Sequence, residues 1–463
     1  MVGTSFDRAF SNHQGLSIAV PHADNILMIT PNFPPYAMAG AVRTGALARH
    51  WAAAGRQVHV LAAANPGALG VHQALEVEGI TAEFLPIDRE GAQAEAAPAA
   101  QPDATAKPDK PRSAPGPLRR ILWDLQAMPD RYNPHWVARA ADRGIAIARD
   151  TSPSLVYSSG PPNSAHIAAA KIKAVTGLPW ISEQRDVWIN NPYTSHHWLT
   201  EIFNTRLARR ILPAANAFVG VTRSAVGELQ QHFDAPVCLA YNGFDRQDFV
   251  PETDSVEAPT AYDPERLTLI HAGVIYAGHR DPRPLFAAIA LLPREQAAKI
   301  RVLFFHDEYD YVTQLAKEHD VLGSVEFRAL VPREEILALE RRVDVLIICR
   351  SHEAKTAGVI PGKLFEYIGA RRPMLAMGSE RGETVEIIRD HGFGLASNDP
   401  QAIADQLLQW LEQKAAHCGR IPDLPEAPTH NFVRSLQFKK IDALIDQMLG
   451  RKAPQPETER AVA

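Results

Sequence analysis

Val359-Ile360-Pro361-Gly362-Lys363-Leu364-Phe365-Glu366-Tyr367-Ile368-Gly369-Ala370-Arg371-Arg372-Pro373 is the stretch on which the reading of this chain turns. Just upstream, Val343-Asp344-Val345-Leu346-Ile347-Ile348-Cys349 is a short, nearly continuous apolar run, as expected of a strand buried on both faces. Pro361 and Gly362 break the backbone, and a helical pattern begins at Lys363. Lys363 and Glu366 then stand three residues apart on one face of the first turns. Free amides at a helix N-terminus favour an anion, and a lysine beside them adds a fixed positive charge. A carboxylate one turn deeper can accept hydrogen bonds from a ribose diol. The unit reads as a cradle for a nucleotide diphosphate; the plain alternative is an ordinary strand–turn–helix with a solvated Lys–Glu pair.

Outward from this stretch the pattern repeats. Leu267–Gly273, Ile300–Phe305, Val325–Arg328 and Met374–Ala376 read as further strands separated by helices, with another helix over Ala402–Gln413. The first half of the chain has the same grammar. Asn25–Thr30 is an apolar strand, Pro31–Gly40 a proline-rich loop that cannot be helical, and Ala41–Ala54 a helix ended by Gly55. Gln57–Leu61 is the next strand, so about 35 residues form a βαβ unit and imply a parallel sheet with a right-handed crossover. Leu155–Ser159, Trp180–Ser182, Ala217–Thr222 and Val237–Tyr241 are the later strands of this half. The loop after each strand lies where open α/β sheets bind ligands.

Between these runs, residues 88–117 are rich in Ala, Pro, Asp, Lys and Gln, with almost no large apolar side chains. Such a segment cannot offset its ordering entropy and is expected to be a disordered insertion. Leu118–Leu125 is a short basic amphipathic piece, suited to core packing or to an anionic membrane surface. Pro251–Pro264 reads as a linker, and Phe432–Met448 as an amphipathic terminal helix. The expected organisation is a first α/β domain over 24–250, a second over 265–428, and a helix over 432–448.

Composition sets outer bounds. The chain has 463 residues, 46% hydrophobic and 22% charged, enough for two or three domains with their own cores. Its 48 Lys and Arg against 53 Asp and Glu give a net charge of −5, so no bulk positive field points to nucleic acid. Cys238, Cys349 and Cys418 have neither metal-ligand nor disulfide-framework spacing, which suits a reducing, cytoplasmic compartment. No apolar run approaches the roughly 18–20 residues that span a bilayer, and the N-terminus shows no secretory pattern.

Taken together, these blocks resemble the family 4 glycosyltransferases. The residues that carry the likeness are the Pro31–Gly40 loop with Arg43, Ser158-Ser159-Gly160-Pro161-Pro162, and Glu183-Gln184-Arg185-Asp186-Val187-Trp188. It continues through Tyr241-Asn242-Gly243-Phe244-Asp245, His271-Ala272-Gly273 with Arg280-Asp281-Pro282, and Pro361–Pro373. The resemblance implies an α/β chain of two facing Rossmann-like domains with parallel sheets, the GT-B fold, whose last helix crosses back to the first domain. It implies a retaining transfer of sugar from a UDP- or GDP-sugar to a glycan or lipid-linked acceptor, in surface polysaccharide biosynthesis. The expected partners are the nucleotide-sugar and the acceptor, with no nucleic acid, no cofactor and no metal. A peripheral contact with the inner membrane face is a further expectation.

The implied donor-binding residues are Gly40, Arg43, Gly273, Arg280, Gly362, Lys363 and Glu366, with Glu366 on the ribose and Lys363 and Arg280 on the diphosphate. Arg185, Asp186, Arg280 and Lys363 are the implied catalytic set. Cations there stabilise the departing pyrophosphate as the glycosidic bond breaks. Asp186 can orient the acceptor hydroxyl or stabilise positive charge on the sugar ring, unless Arg185 and Asp186 merely pair to fix a loop. Arg43 can meet donor phosphate or acceptor charge. Arg350 is a weaker phosphate candidate, and His166 and His271 read more readily as structural. The family usually places two glutamates eight positions apart; Glu366 matches the second, but Gly358 occupies the first position. A Pro-x-Lys-x-x-Glu-Tyr branch fits Pro361, Lys363, Glu366 and Tyr367, and the sugar contact then falls to backbone amides around Ala357–Ile360. Two alternatives share the fold: a UDP-sugar 2-epimerase, and a non-catalytic scaffold in an assembly complex.

Overall fold

The apolar runs sort into two separate parallel sheets. The computed structural model describes residues 25–36, 38–64, 76–87, 128–130, 132, 134–189, 198–249, 263–273, 275, 280–306, 309–353 and 356–451. The 88–117 insertion, the basic piece at 118–125 and linker residues 251–262 lie outside the described residues.

The first sheet holds β1 (Asn25–Ile29), β2 (Gln57–Ala64), β3 (Ile80–Pro86), β4 (Leu155–Gly160), β5 (Trp180–Gln184), β6 (Ala217–Gly220) and β7 (Val237–Leu239). Its order is β3-β2-β1-β4-β5-β6-β7, with every pair parallel. Helices α1 (Ala39–Ala53), α2 (His135–Thr151), α3 (Ser164–Thr176), α4 (Trp198–Ile211) and α5 (Arg223–His232) connect these strands. The second sheet holds β8 (Leu267–Ala272), β9 (Ile300–Phe305), β10 (Val325–Arg328), β11 (Val345–Cys349), β12 (Met374–Met377) and β13 (Gly394–Ala396), ordered β10-β9-β8-β11-β12-β13 and again parallel. Its helices are α6 (Arg283–Leu291), α7 (Asp310–Glu318), α8 (Arg333–Arg342), α9 (Lys363–Ala370), α10 (Glu383–Asp390) and α11 (Pro400–Ala416), besides short turns. Each sheet therefore buries both faces under helices, which is why β9 and β11 are buried along their whole length.

Strand β5 runs further than its apolar residues suggest, because Ser182, Glu183 and Gln184 are fully buried within it. Long-range hydrogen bonds make this tolerable: Glu183 accepts from Tyr157 at 2.8 Å and from Ser159 at 2.6 Å, both on neighbouring β4.

The last helix, α12 (Arg434–Met448), leaves the second unit and packs on the first. Phe438, Ile441, Leu444 and Ile445 join the core formed by Ile26, Met28, Val58 and Val60. Asp442 pins it further, accepting from His50, Trp51 and Arg56 at 2.7, 3.0 and 2.6 Å. In both sheets the strand order reverses beside the first strand, between β1 and β4 and between β8 and β11. The crevices at those switch points face the carboxyl ends of the strands, where doubly wound sheets bind ligands. Among the described residues, no helix is long and apolar enough to cross a membrane.

Candidate active site

Two cavities meet at the ends of these strands. One, of about 470 Å³, lies between the units, with Met38, Gly40, Arg185, Asp186 and Ser224 on one wall and Gly358–Ile360 with Gly362 on the other. The second, about 320 Å³, is formed by His271, Arg280, Arg350, Thr356 and Lys363. Val359, Ile360 and Gly362 border both, so the cavities share the loop that leads into α9.

This loop ends as the sequence suggests: Gly362 precedes a helix starting at Lys363. The Leu364 and Phe365 amides turn back onto the Pro361 and Gly362 carbonyls, at 3.0 and 3.2 Å. Lys363 reaches across to Gly273 of the β8 end, so closely that a methyl built on Gly273 would collide with its Nζ. Gly273 also has φ +127°, which side chains rarely adopt. Burial pulls the Lys363 ammonium below its ordinary value; the Arg280 charge acts the same way, and Glu340 opposes it. Arg280 lines the same cavity. Two cations thus stand together at a partly desolvated wall, where an anion gains most.

His271, near the end of β8, lines the same cavity. Its Nδ1 lies 3.1 Å from the Ile347 carbonyl, which assigns the proton to Nδ1 and leaves Nε2 an acceptor without a described partner. Burial, then the Lys363 charge, drives its pKa down to about 3, so the ring is neutral. His166 is likewise buried and depressed to about 3, and contacts Ser158 at 2.8 Å and Ser182 at 3.1 Å. It lies beneath the cleft, behind Gly160, as a core residue.

On the opposite wall, Arg185 donates to the Gly160 and Pro161 carbonyls, so its guanidinium is fixed by backbone and not by Asp186. Gly40, within α1, lies directly against that guanidinium; its lack of a side chain admits Arg185 and lets the helix line the cleft. Asp186 faces the cleft without a described hydrogen bond, and burial raises its pKa against the pull of Arg185.

One expectation needs correction, and two further residues have partners the sequence did not foresee. Arg43 does not reach the cleft: it is 3% exposed and donates to Glu183 at 2.9 and 2.8 Å, to the Tyr241 carbonyl at 2.9 Å and to the Ala240 carbonyl at 3.0 Å. It is a core brace, and its charge holds the buried Glu183 carboxyl below its ordinary value although burial alone would raise it. Arg350 lines the second cavity but is largely buried, donating to the Ser379 and Ala357 carbonyls at 3.0 and 3.3 Å, so it also braces the loop. Glu366 lies on α9 but lines neither cavity, and it pairs with Arg333 at 3.0 Å and not with Lys363. Arg333 binds Asp248 as well, at 3.2 Å.

Gly358 has a clear steric role. A methyl there would come within 2.5 Å of Ser224 Oγ and 2.8 Å of its Cβ, across the cleft at the start of α5. Nearby, Glu383 of the second unit accepts from the Arg223 amide at 2.7 Å, Arg223 Nε at 2.9 Å and the Tyr241 hydroxyl at 2.5 Å, all from the first. The sequence reading missed this clasp, as it missed Arg333 and the buried Glu340. Among the described residues, no group of three or more His, Cys, Asp or Glu side chains gathers as a metal site.

No known family profile matches the chain, and no curated protein matches it. Solved structures do. Sucrose-phosphate synthase from Thermosynechococcus elongatus superposes with a TM-score of 0.61 at 13% identity, over 92% of this chain and 99% of that one. Anabaena HepE in complex with UDP and glucose gives 0.57 at 15%, over 92% and 100%. A putative UDP-N-acetylglucosamine 2-epimerase from Listeria monocytogenes gives 0.54 at 12%, over 93% and 98%. The likeness at these identities concerns the fold: the chain is a two-domain α/β protein of the GT-B class.

Proposed function

We propose that the chain is a glycosyltransferase that takes its sugar from a nucleotide diphosphate-sugar and passes it to a glycan or lipid-linked acceptor. One observation carries the reading: Lys363 and Arg280 stand together in a cavity that shares the Val359–Gly362 loop with the larger cavity bearing Asp186. In this reading the diphosphate lies against Lys363, Arg280 and the Gly362 and Lys363 amides. As the glycosidic bond breaks, the leaving diphosphate gains negative charge, which those cations stabilise. The acceptor enters the larger cavity, where Asp186 orients its hydroxyl. Retention of configuration follows if the acceptor attacks from the face the diphosphate leaves, with a diphosphate oxygen taking the proton. The oxygen of Glu366 not used by Arg333 is the ribose contact. HepE, crystallised with UDP and glucose, has the same fold and supports a uridine donor.

Binding is measured directly. A thermal-shift panel of UDP- and GDP-sugars on the full chain is expected to give one stabilising nucleotide, since a ligand of the folded form raises its stability with log concentration. Lys363→Met should lose that shift while staying folded; a panel without any shift overturns the reading. The epimerase alternative, which shares the fold, separates on one incubation: only an epimerase converts UDP-N-acetylglucosamine to a second hexosamine without acceptor.

A further inference from the structure

A purely structural role accounts for only half of the His271 ring. Nδ1 lies 3.1 Å from the Ile347 carbonyl on neighbouring β11, the same carbonyl to which the Tyr367 hydroxyl donates at 3.4 Å. A carbonyl only accepts, so Nδ1 carries the proton and the neutral ring keeps its lone pair on Nε2. That Nε2 is sealed from solvent and has no described hydrogen-bond partner, in a residue that is 3% exposed. Buried side-chain nitrogens normally find a partner. The ring lines the cavity of Lys363 and Arg280, and Lys363 Nζ stands against Gly273, two residues along the chain. The charges acting most strongly on it are basic: Lys363 of α9, then Arg280, with His306 just past β9 adding a smaller push. Cys349 of β11 and Tyr367 of α9, on the elements packed beside it, are held protonated by burial. So is Glu340 of α8, which acts on Lys363 and Tyr367. Asp281 acts on Cys349 and is engaged by Tyr311 at 3.1 Å and Arg283 at 3.5 Å.

We propose that His271 is a proton-coupled ligand of the diphosphate: on binding, Nε2 takes up one proton from solvent and donates it as a hydrogen bond to a phosphate oxygen. This rests on the transferase reading, which seats a diphosphate against Lys363 and Arg280. Burial and those cations push the free ring down to about 3. The diphosphate of a nucleotide-sugar brings negative charge that offsets both cations, and its oxygens meet a nitrogen that holds only a lone pair. Two acceptors in contact repel. Protonating Nε2 turns the contact into a charge-assisted hydrogen bond, while Nδ1 keeps its own proton on Ile347. No substrate bond forms or breaks in this step. The imidazolium then adds to the positive charge that stabilises the departing diphosphate, and the proton returns to solvent when the product leaves. Because the complex holds one proton more than the free chain, affinity rises as pH falls.

The test is calorimetry of the full chain with UDP-glucose and with GDP-glucose, each in PIPES and in imidazole buffer. The two buffers ionise with very different heats, so the difference in binding heat counts protons, and neither diphosphate diester titrates near neutral pH. Uptake of about one proton per nucleotide-sugar is expected at about pH 6, with affinity falling up to about tenfold per pH unit as pH rises. His271→Gln keeps a side-chain amide but cannot titrate: uptake should vanish and affinity should no longer change with pH. Loss of a merely structural histidine would instead leave the uptake and its pH dependence in place. His271→Asn serves as a second variant, with circular dichroism confirming the fold of each. In the unsubstituted chain carrying isotope-labelled histidine, one Nε2 resonance should move from the lone-pair to the N–H range on adding nucleotide-sugar. Binding without proton uptake, or uptake that persists in the folded variants, overturns the proposal and leaves the transferase reading intact. A chain that binds no nucleotide-sugar of the panel overturns that reading and the proposal with it.

Discussion

Arg43→Met separates a core brace from a ligand-binding arginine. In the structure Arg43 is almost wholly buried against Glu183, which is fully buried. Removing the guanidinium leaves Glu183 with only the Tyr157 and Ser159 hydroxyls, and strips the Ala240 and Tyr241 carbonyls of a donor. Breaking a buried pair on one side costs about 3–5 kcal/mol, because the remaining charge is uncompensated. The pH dependence gives a second signature. In the native chain the Glu183 pKa is lowered, so its contribution is present above the unfolded carboxyl value and lost as pH falls through the folded one. In Arg43→Met, burial outweighs the two remaining hydroxyl hydrogen bonds, and the folded pKa rises above the unfolded value. The variant is then least stable at neutral pH and recovers as the pH falls and Glu183 takes up a proton. Urea unfolding followed by circular dichroism at neutral and mildly acidic pH measures both effects. A variant within about 1 kcal/mol of the native chain at neutral pH, yet unable to bind nucleotide, would refute the brace and return Arg43 to the cleft.

Gly273→Ala forces a side chain into a backbone with φ +127° and against Lys363 Nζ. It is expected to cost about 1–3 kcal/mol in strain and to weaken nucleotide binding about tenfold or more through displacement of the lysine, as calorimetry will read. Ile441→Ala removes a fully buried side chain by which α12 holds the first sheet; denaturant unfolding should show a loss of about 2–5 kcal/mol. Glu383→Gln weakens the clasp to Arg223 and Tyr241, and small-angle scattering should report a more open chain that nucleotide-sugar closes again.

Much of the fold was legible because parallel strands buried on both faces are written as apolar runs. Ile300–Phe305 and Val325–Arg328 have the expected bounds, and the first strand ends at Ile29, one residue before the expected Thr30. Strand β3 escaped notice because it is only half-buried along its length, and β13 because it has three residues. The start of α9 at Lys363 was readable from the Pro-Gly break beside it. The partners of the charged residues were not. Arg43 and Glu183 meet across 140 positions, and Glu366 and Arg333 across 33, so no local pattern distinguishes a bracing arginine from a ligand-binding one. Gly40 was read as a site for close ligand approach; what approaches it is Arg185.

Gly358 shows how one missing side chain can belong to the architecture. A glutamate at this position would meet Ser224 across the cleft before reaching any ligand, given that a single methyl already comes within 2.5 Å of its Oγ. The same wall is tightened by Gly382, whose φ of +99° lets it approach Ala357 of the loop directly. Arg350 holds the Ala357 carbonyl from below at 3.3 Å, and Thr384 donates to the Val359 carbonyl at 3.4 Å. The 357–360 segment is therefore fixed through its backbone by the second unit and presents main chain to the cavities. Contacts made there by amides do not depend on a carboxylate. Gly358→Glu is then expected to hold the two units apart and not to restore a sugar contact, and transfer should fall. A Gly358→Glu chain with unchanged scattering and faster transfer would show that the position lacks only its carboxylate.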